Sequence, residues 1–350
     1  MSRNHSEVTV VVELAPRVER KIPLVRVPGA VPVLSAVFLA GVAAIVIARW
    51  WTGSGYLPAP LGLPDPGALT AIGLPVTQFA HEMAGVAVVG LLFLRAVLLP
   101  RATGPVRAHL AAVTVRWAWL WAASTVAWIA FTLSDLIGTG VGDLLGRADA
   151  VVAVSGTDRV LAQYATLWVA LAIALFGARL SGNAAAGAAL LITAAALLPS
   201  ALTGHAGHHA SPGVAMAALG LHLVGAAIWI GPLLAIVVHL RAFPDDVRVA
   251  VPRFSTAALV CVLAVGLSGV LESAVMLEGW AALLGTDRGH LIVAKTVAFV
   301  LLAGFGYWHR RRTVPAARTW RLQPLLRLAA GELLLMGATV GIAVVLSITA

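Results

Sequence analysis

Apolar residues run along this chain in long stretches, separated by shorter segments that gather most of the charge. A soluble helix would carry a continuous polar face, and none of these stretches does. Crossing a hydrocarbon core of about 30 Å takes roughly 20 apolar residues as a helix. Nine stretches are of that order, at 31–48, 77–99, 111–133, 160–178, 184–204, 214–239, 255–277, 289–308 and 325–348. The pattern predicts an all-α fold, a polytopic membrane helix bundle of about nine transmembrane helices.

Composition agrees with the pattern. Apolar residues make up 60% of the chain and charged residues 11%, where a soluble domain carries about 25% charge. The mean hydropathy is +0.94. Of the 24 lysines and arginines, 19 fall in the amino-terminal tail, the loops on its side of the bundle and the span ends beside them. Four fall on the opposite side, and Lys295 lies within a span. Cations stay on the cytoplasmic side, so the expectation is a cytoplasmic N-terminus in the plasma (inner) membrane. The net charge of +9 then reads as topology and contact with anionic lipid. Nucleic-acid binding is not indicated, because the cations are spread over several loops.

The polar, proline-punctuated stretch 1–30 predicts a disordered cytoplasmic tail. The apolar run after it exceeds the 7–15 residues of a secretory signal core, so it reads as an uncleaved anchor. The remainder divides into a four-helix region, 31–180, and a five-helix domain, 184–350. The first region is expected to hold two longer outer loops, Arg49 to Val76 and Ser134 to Arg159, the latter with Asp135, Asp143, Asp149 and Asp158. The single cysteine, Cys261, lies mid-span and reads as packing; it rules out a disulfide framework or a paired-cysteine metal site.

Candidate chemistry centres on histidine. His205, His208 and His209 crowd a loop without any charged residue, between two spans, on the side expected to face outward. Neutral imidazole suits copper, zinc, iron and nickel. The spacing i, i+3, i+4 puts the three on one face if the helix before them continues. Ionisable groups inside spans are costly and usually face the bundle interior. At 1.5 Å per residue, His81, His222, Glu272 and Lys295 come from four spans to similar depths, about 8–12 Å below the outer face. Glu272 and Lys295 are expected to pair. Gly225 and Trp229 share the face of His222, where glycine allows close helix approach. Glu82, Met83 and Met276 lie at the same level, with Met216 as a further thioether and His290 at the rim. Glu332 is the carboxylate deeper in the last span.

The run His222-Leu223-Val224-Gly225-Ala226-Ala227-Ile228-Trp229-Ile230-Gly231, followed by Arg253-Phe254-Ser255, Ser268-Gly269 and Gly289-His290-Leu291-Ile292-Val293-Ala294-Lys295, resembles the CopD family of copper-resistance membrane proteins. Gly204-His205-Ala206 and Arg310-Arg311-Arg312 before Pro315 fit the same pattern. Together these motifs cover roughly residues 200–320. The stretch Leu61-Gly62-Leu63-Pro64-Asp65-Pro66-Gly67-Ala68-Leu69-Thr70, with Gly73-Leu74-Pro75, resembles the amino-terminal half of actinobacterial proteins that fuse CopD to a cytochrome-oxidase assembly module. That module would lie beyond Ala350. The resemblance implies copper movement across the inner membrane, commonly inward, with an extracytoplasmic chaperone of the CopC type as a partner. His290 stands where many relatives carry another residue and is left out of the ligand set.

The sequence thus predicts a copper carrier, not an enzyme. His205, His208 and His209 would capture the ion, and His222 with His81 would form the next station. Glu272, Lys295 and Glu332 would tune charge or carry compensating protons. No Walker-type nucleotide motif is present, so ATP does not drive this chain directly. Two alternatives belong to other classes. In a b-type haem electron carrier, His222 and His239 on one span and His290 and His309 on another would bind stacked haems. In an oxidase assembly partner, copper would be delivered without being transported.

Overall fold

The structure, a computed structural model, describes residues 29–60, 63–102, 104–180, 182–198, 212–276, 282–308, 310–311 and 322–348. Inside hydrocarbon a backbone has to satisfy its own N–H and C=O groups, and a helix does so within one segment. The apolar stretches accordingly become helices. In chain order these are α1 (Ala30–Trp51), α2 (Gly67–Phe93), α3 (Gly104–Ile137), α4 (Ala148–Ser155), α5 (Asp158–Phe176), α6 (Asn183–Ala196), α7 (Pro212–Ala235), α8 (Pro244–Met276), α9 (Asp287–Trp308) and α10 (Leu322–Ile348). A π turn continues α2 over Leu94–Leu98 and α7 over Ile236–Leu240. No strand occurs among the described residues.

Eight of these helices are long and apolar enough to cross a membrane. The fifth expected span, 184–204, is represented by α6, a shorter apolar helix of 14 residues; the rest of that span, from residue 199 on, lies outside the described residues. The tail over 1–28 also lies outside them.

Two expected loops are shorter than the sequence suggested. Helix α2 begins at Gly67, ten residues before the expected span, so the first outer connection narrows to residues 52–66. Pro75 lies inside α2; proline lacks the N–H that would bond the carbonyl four residues back, here that of Ala71. Arg49 in α1 repairs the gap, its guanidinium donating to the Ala71 carbonyl at 2.6 Å. The connection itself is tied by Asp65, whose carboxylate accepts from the Tyr56 hydroxyl at 2.7 Å and the Gly67 amide at 2.8 Å. Those donors hold the Asp65 carboxyl below its ordinary range, the Tyr56 bond having the largest effect. The second expected loop, 134–159, contains the end of α3, a 3-10 turn over Val141–Arg147 and α4.

Helix α2 is the most buried of the spans. It packs on α3 along one side and on α7 along another, while α1 packs on α10 and α8 on α7. The closest crossing is glycine on glycine. A side chain at Gly90 would run into the backbone of Gly231, and one at Gly231 into the Val86 carbonyl. At the α1–α10 crossing, Gly341 meets the Gly41 carbonyl and Gly337 lies against Val37. Hydrocarbon gives helices no hydrophobic reason to associate, so such small-residue contacts, which maximise van der Waals packing, hold membrane bundles together.

Candidate functional site

Successive residues on a helix point about 100° apart, so His81 and Glu82 leave α2 in different directions. His81 faces α3. It is 2% exposed and ringed by Trp128 at 4.7 Å and Trp121 at 6.1 Å between ring centroids. Its Nδ1 lies 2.8 Å from the Thr125 hydroxyl oxygen. That hydroxyl spends its own proton on the Trp121 carbonyl at 2.7 Å. The Thr125 oxygen is therefore the acceptor, the proton of neutral His81 sits on Nδ1, and the Nε2 lone pair is left open. The indole N–H groups of Trp121 and Trp128 are buried without partners among the described residues.

Glu82 faces the other way and is half-buried. Gln78, one turn earlier, donates to its carboxylate at 3.0 Å and also to the Ser347 hydroxyl at 3.1 Å, near the end of α10. Neither Gln78 nor Ser347 was picked out from the sequence. A glutamine four residues before a glutamate inside a span was the available signal, since Gln and Glu at that spacing share a face.

His222 in α7 repeats the arrangement around His81 against a different neighbour. Its Nδ1 lies 3.2 Å from the Ser268 hydroxyl oxygen on α8, and that hydroxyl donates to the Ala264 carbonyl at 2.7 Å. The hydroxyl is again an acceptor, and the His222 ring also hydrogen-bonds the Val265 carbonyl, so the imidazole is tied to α8 at two points. Glycine makes the fit. A side-chain carbon at Gly269 would stand 3.5 Å from the imidazole, and one at Gly225 would stand 3.1 Å from Val265. Trp229, on the same face of α7, meets Phe299 of α9 edge-on at 6.3 Å.

Lys295 in α9 is half-buried, and its charge reaches both Glu82 and His222. The expected Glu272–Lys295 ion pair does not form. Matched depth is not enough, because α9 packs mainly on α10 and only slightly on α8, the helix that carries Glu272. Glu332 is buried in α10, but it precedes Ser347 by fifteen residues, about 22 Å along the helix. His81 and His222 turn to different helices, α3 and α8.

His205, His208 and His209 lie outside the described residues, as does His309. Among the described residues no three His, Cys, Asp or Glu side chains come together as a metal cage. His290 turns Nε2 to the Leu284 carbonyl at 3.0 Å. His239 accepts a hydrogen bond from the Trp117 indole on Nε2 at 2.8 Å, which occupies the lone pair that a haem or metal would need. Cys261 is a free, buried thiol.

The class these features define is a polytopic helical membrane protein with ordered histidines and a lysine–glutamate centre in its interior. Residues 248–346 match the family model described as copper resistance protein D, CopD. That segment, which runs from early α8 through α9 to near the end of α10, is similar to the CopD family. The matched residues include Ser268, Glu272, Lys295 and Glu332, whereas His81, Glu82 and His222 precede them. No curated protein and no solved structure matches the chain.

Proposed function

We propose that this chain carries copper across the plasma membrane, inward from the face opposite its cation-rich loops, with His222 and His81 as ligands. The observation that carries the reading is the state of these two histidines. Each is held through Nδ1 by a hydroxyl of the neighbouring helix, as the outer hydrogen bond of a metal-binding imidazole holds it, and His81 keeps Nε2 open. Around His81 the faces of Trp121 and Trp128 add an environment that favours a cation. His205, His208 and His209 would capture the ion before it reaches His222, and a soluble chaperone of the CopC type would deliver it.

Lys295 gives the passage a charge logic. A copper cation arriving at His222 is repelled by the ammonium, whose charge already reaches that imidazole. Glu82 offsets part of that. Lys295, Glu272 and Glu332 would tune the charge along the path or carry compensating protons.

Proteoliposomes holding this chain alone should accumulate copper, and His222→Ala should abolish the uptake while protein levels stay normal. His205→Ala should behave likewise, whereas single changes at His208 or His209 should only weaken capture. An empty-vesicle rate from the wild-type protein would refute transport and leave copper delivery to an oxidase. A haem absorption band in the purified protein would refute the reading outright.

A further inference from the structure

The π turn at the end of α2 turns Arg95 into a narrow pocket at the cation-rich end of the bundle. Arg95 is 8% exposed. One guanidinium nitrogen donates to the Leu180 carbonyl at 3.0 Å, and the other, Nη1, is buried without a partner among the described residues. Arg107 lines the same pocket from α3, close enough for its charge to act on that of Arg95. No carboxylate lines it among the described residues. Two guanidiniums sharing a pocket repel each other unless an anion lies between them.

The third wall is the start of α6, whose Gly182 and Asn183 line the pocket. Gly182 takes φ +93°, and the helix has neither a side-chain cap nor an acidic residue in its first turn. Its leading N–H groups and the positive end of the helix dipole are therefore uncompensated. The Asn183 side chain is occupied elsewhere, donating to the Pro100 carbonyl at 2.6 Å. Arginine forks, backbone amides and a helix N-terminus are the donor set that phosphate oxygens select. The floor of the pocket has room for about one water-sized group, so one oxygen would reach Arg95 while the rest of the phosphate sits at the mouth beside Arg107.

We infer that Arg95, Arg107 and the amino-terminal turn of α6 form a binding site for a phosphate group, presented by an anionic lipid headgroup or as the free ion. The site is separate from the copper reading and would exist in a protein that carries no metal.

The test uses the full chain, delipidated in maltoside detergent and phosphate-free buffer. Thermal unfolding and native mass spectrometry follow added inorganic phosphate, phosphatidylglycerol or phosphatidylcholine. Stabilisation by phosphatidylglycerol alone identifies a lipid headgroup. Stabilisation by inorganic phosphate as well identifies a site for the free ion. In either case Arg107→Gln, at an exposed position, should weaken binding about tenfold, in line with loss of one charge-assisted hydrogen bond. Arg95→Gln should abolish it. If Arg95→Gln fails to fold, Arg107→Gln still decides. Absence of any shift, or equal shifts in wild type and Arg107→Gln, would overturn the proposal.

Discussion

A histidine in hydrocarbon has two nitrogens to account for, and its neighbours determine which one is left open. Thr125 does this for His81, whereas Ser268 and the Val265 carbonyl share the ring of His222. Each hydroxyl has already given its proton to its own helix and so presents only an acceptor. This yields a sharper prediction than removal of the histidine itself. Thr125→Val preserves the shape of a fully buried side chain but takes away the acceptor that fixes the His81 ring. Loss of such an outer-shell partner typically costs about 10–100-fold in metal affinity. Copper uptake at limiting copper should fall by that order, while the amount of folded protein and the maximal rate change little. A Thr125→Ser protein, which keeps the hydroxyl, should behave like the wild type. If valine and serine at 125 give the same uptake, His81 does not bind copper through Nε2.

The helices show where reading a sequence succeeds and where it runs short. Apolar length reveals the spans because no polar backbone survives in lipid without internal bonds, and every expected span but the fifth appears as a long helix. Boundaries were less legible. Pro75 and its flanking glycine read as loop, yet α2 continues through them because Arg49 of another helix supplies the missing donor, a contact no local pattern announces. Arg107 precedes the expected third span at 111–133, yet α3 begins at Gly104 and includes it; long arginine stems reach polar surroundings from inside a span. Among the site residues, His222 with Ser268 was legible as a motif, whereas Gln78 and Ser347 meet only through tertiary packing. The Arg49 repair can be tested. Arg49→Ala should leave the Ala71 carbonyl short of a donor and destabilise the protein by about 1–3 kcal/mol. In a Pro75→Ala background the new amide can take that carbonyl, so the same change should cost much less. A double-mutant cycle by thermal unfolding in detergent measures the coupling; strictly additive effects would mean that Arg49 is not substituting for the proline.

At the scale of the molecule, the bundle interleaves its two ends, with α1 against α10 and α2 against α7, so the interior centre draws on helices from both halves. Glu82 comes from α2, His222 from α7 and Lys295 from α9. The proposed direction of copper then depends on which way this bundle sits in the membrane. The proposed orientation rests on the cations, because retention of lysine and arginine on the cytoplasmic side sets orientation, and 19 of 24 lie on the amino-terminal side. With that side inward, the segment that bears His205, His208 and His209 faces outward. Gln78, Glu82 and Ser347 also lie toward that outer side, because α10 ends there at Ile348. The phosphate pocket of Arg95 and Arg107 lies at the opposite, inner surface, where anionic lipid is available. One measurement bears on all of these assignments. After Cys261 is changed to alanine, a cysteine at Ser211 should react with an impermeant thiol reagent in intact cells, and one at Thr313 only after the cells are opened. Labelling at Thr313 alone in intact cells would turn the bundle over, making the histidine segment cytoplasmic and the proposed uptake an efflux.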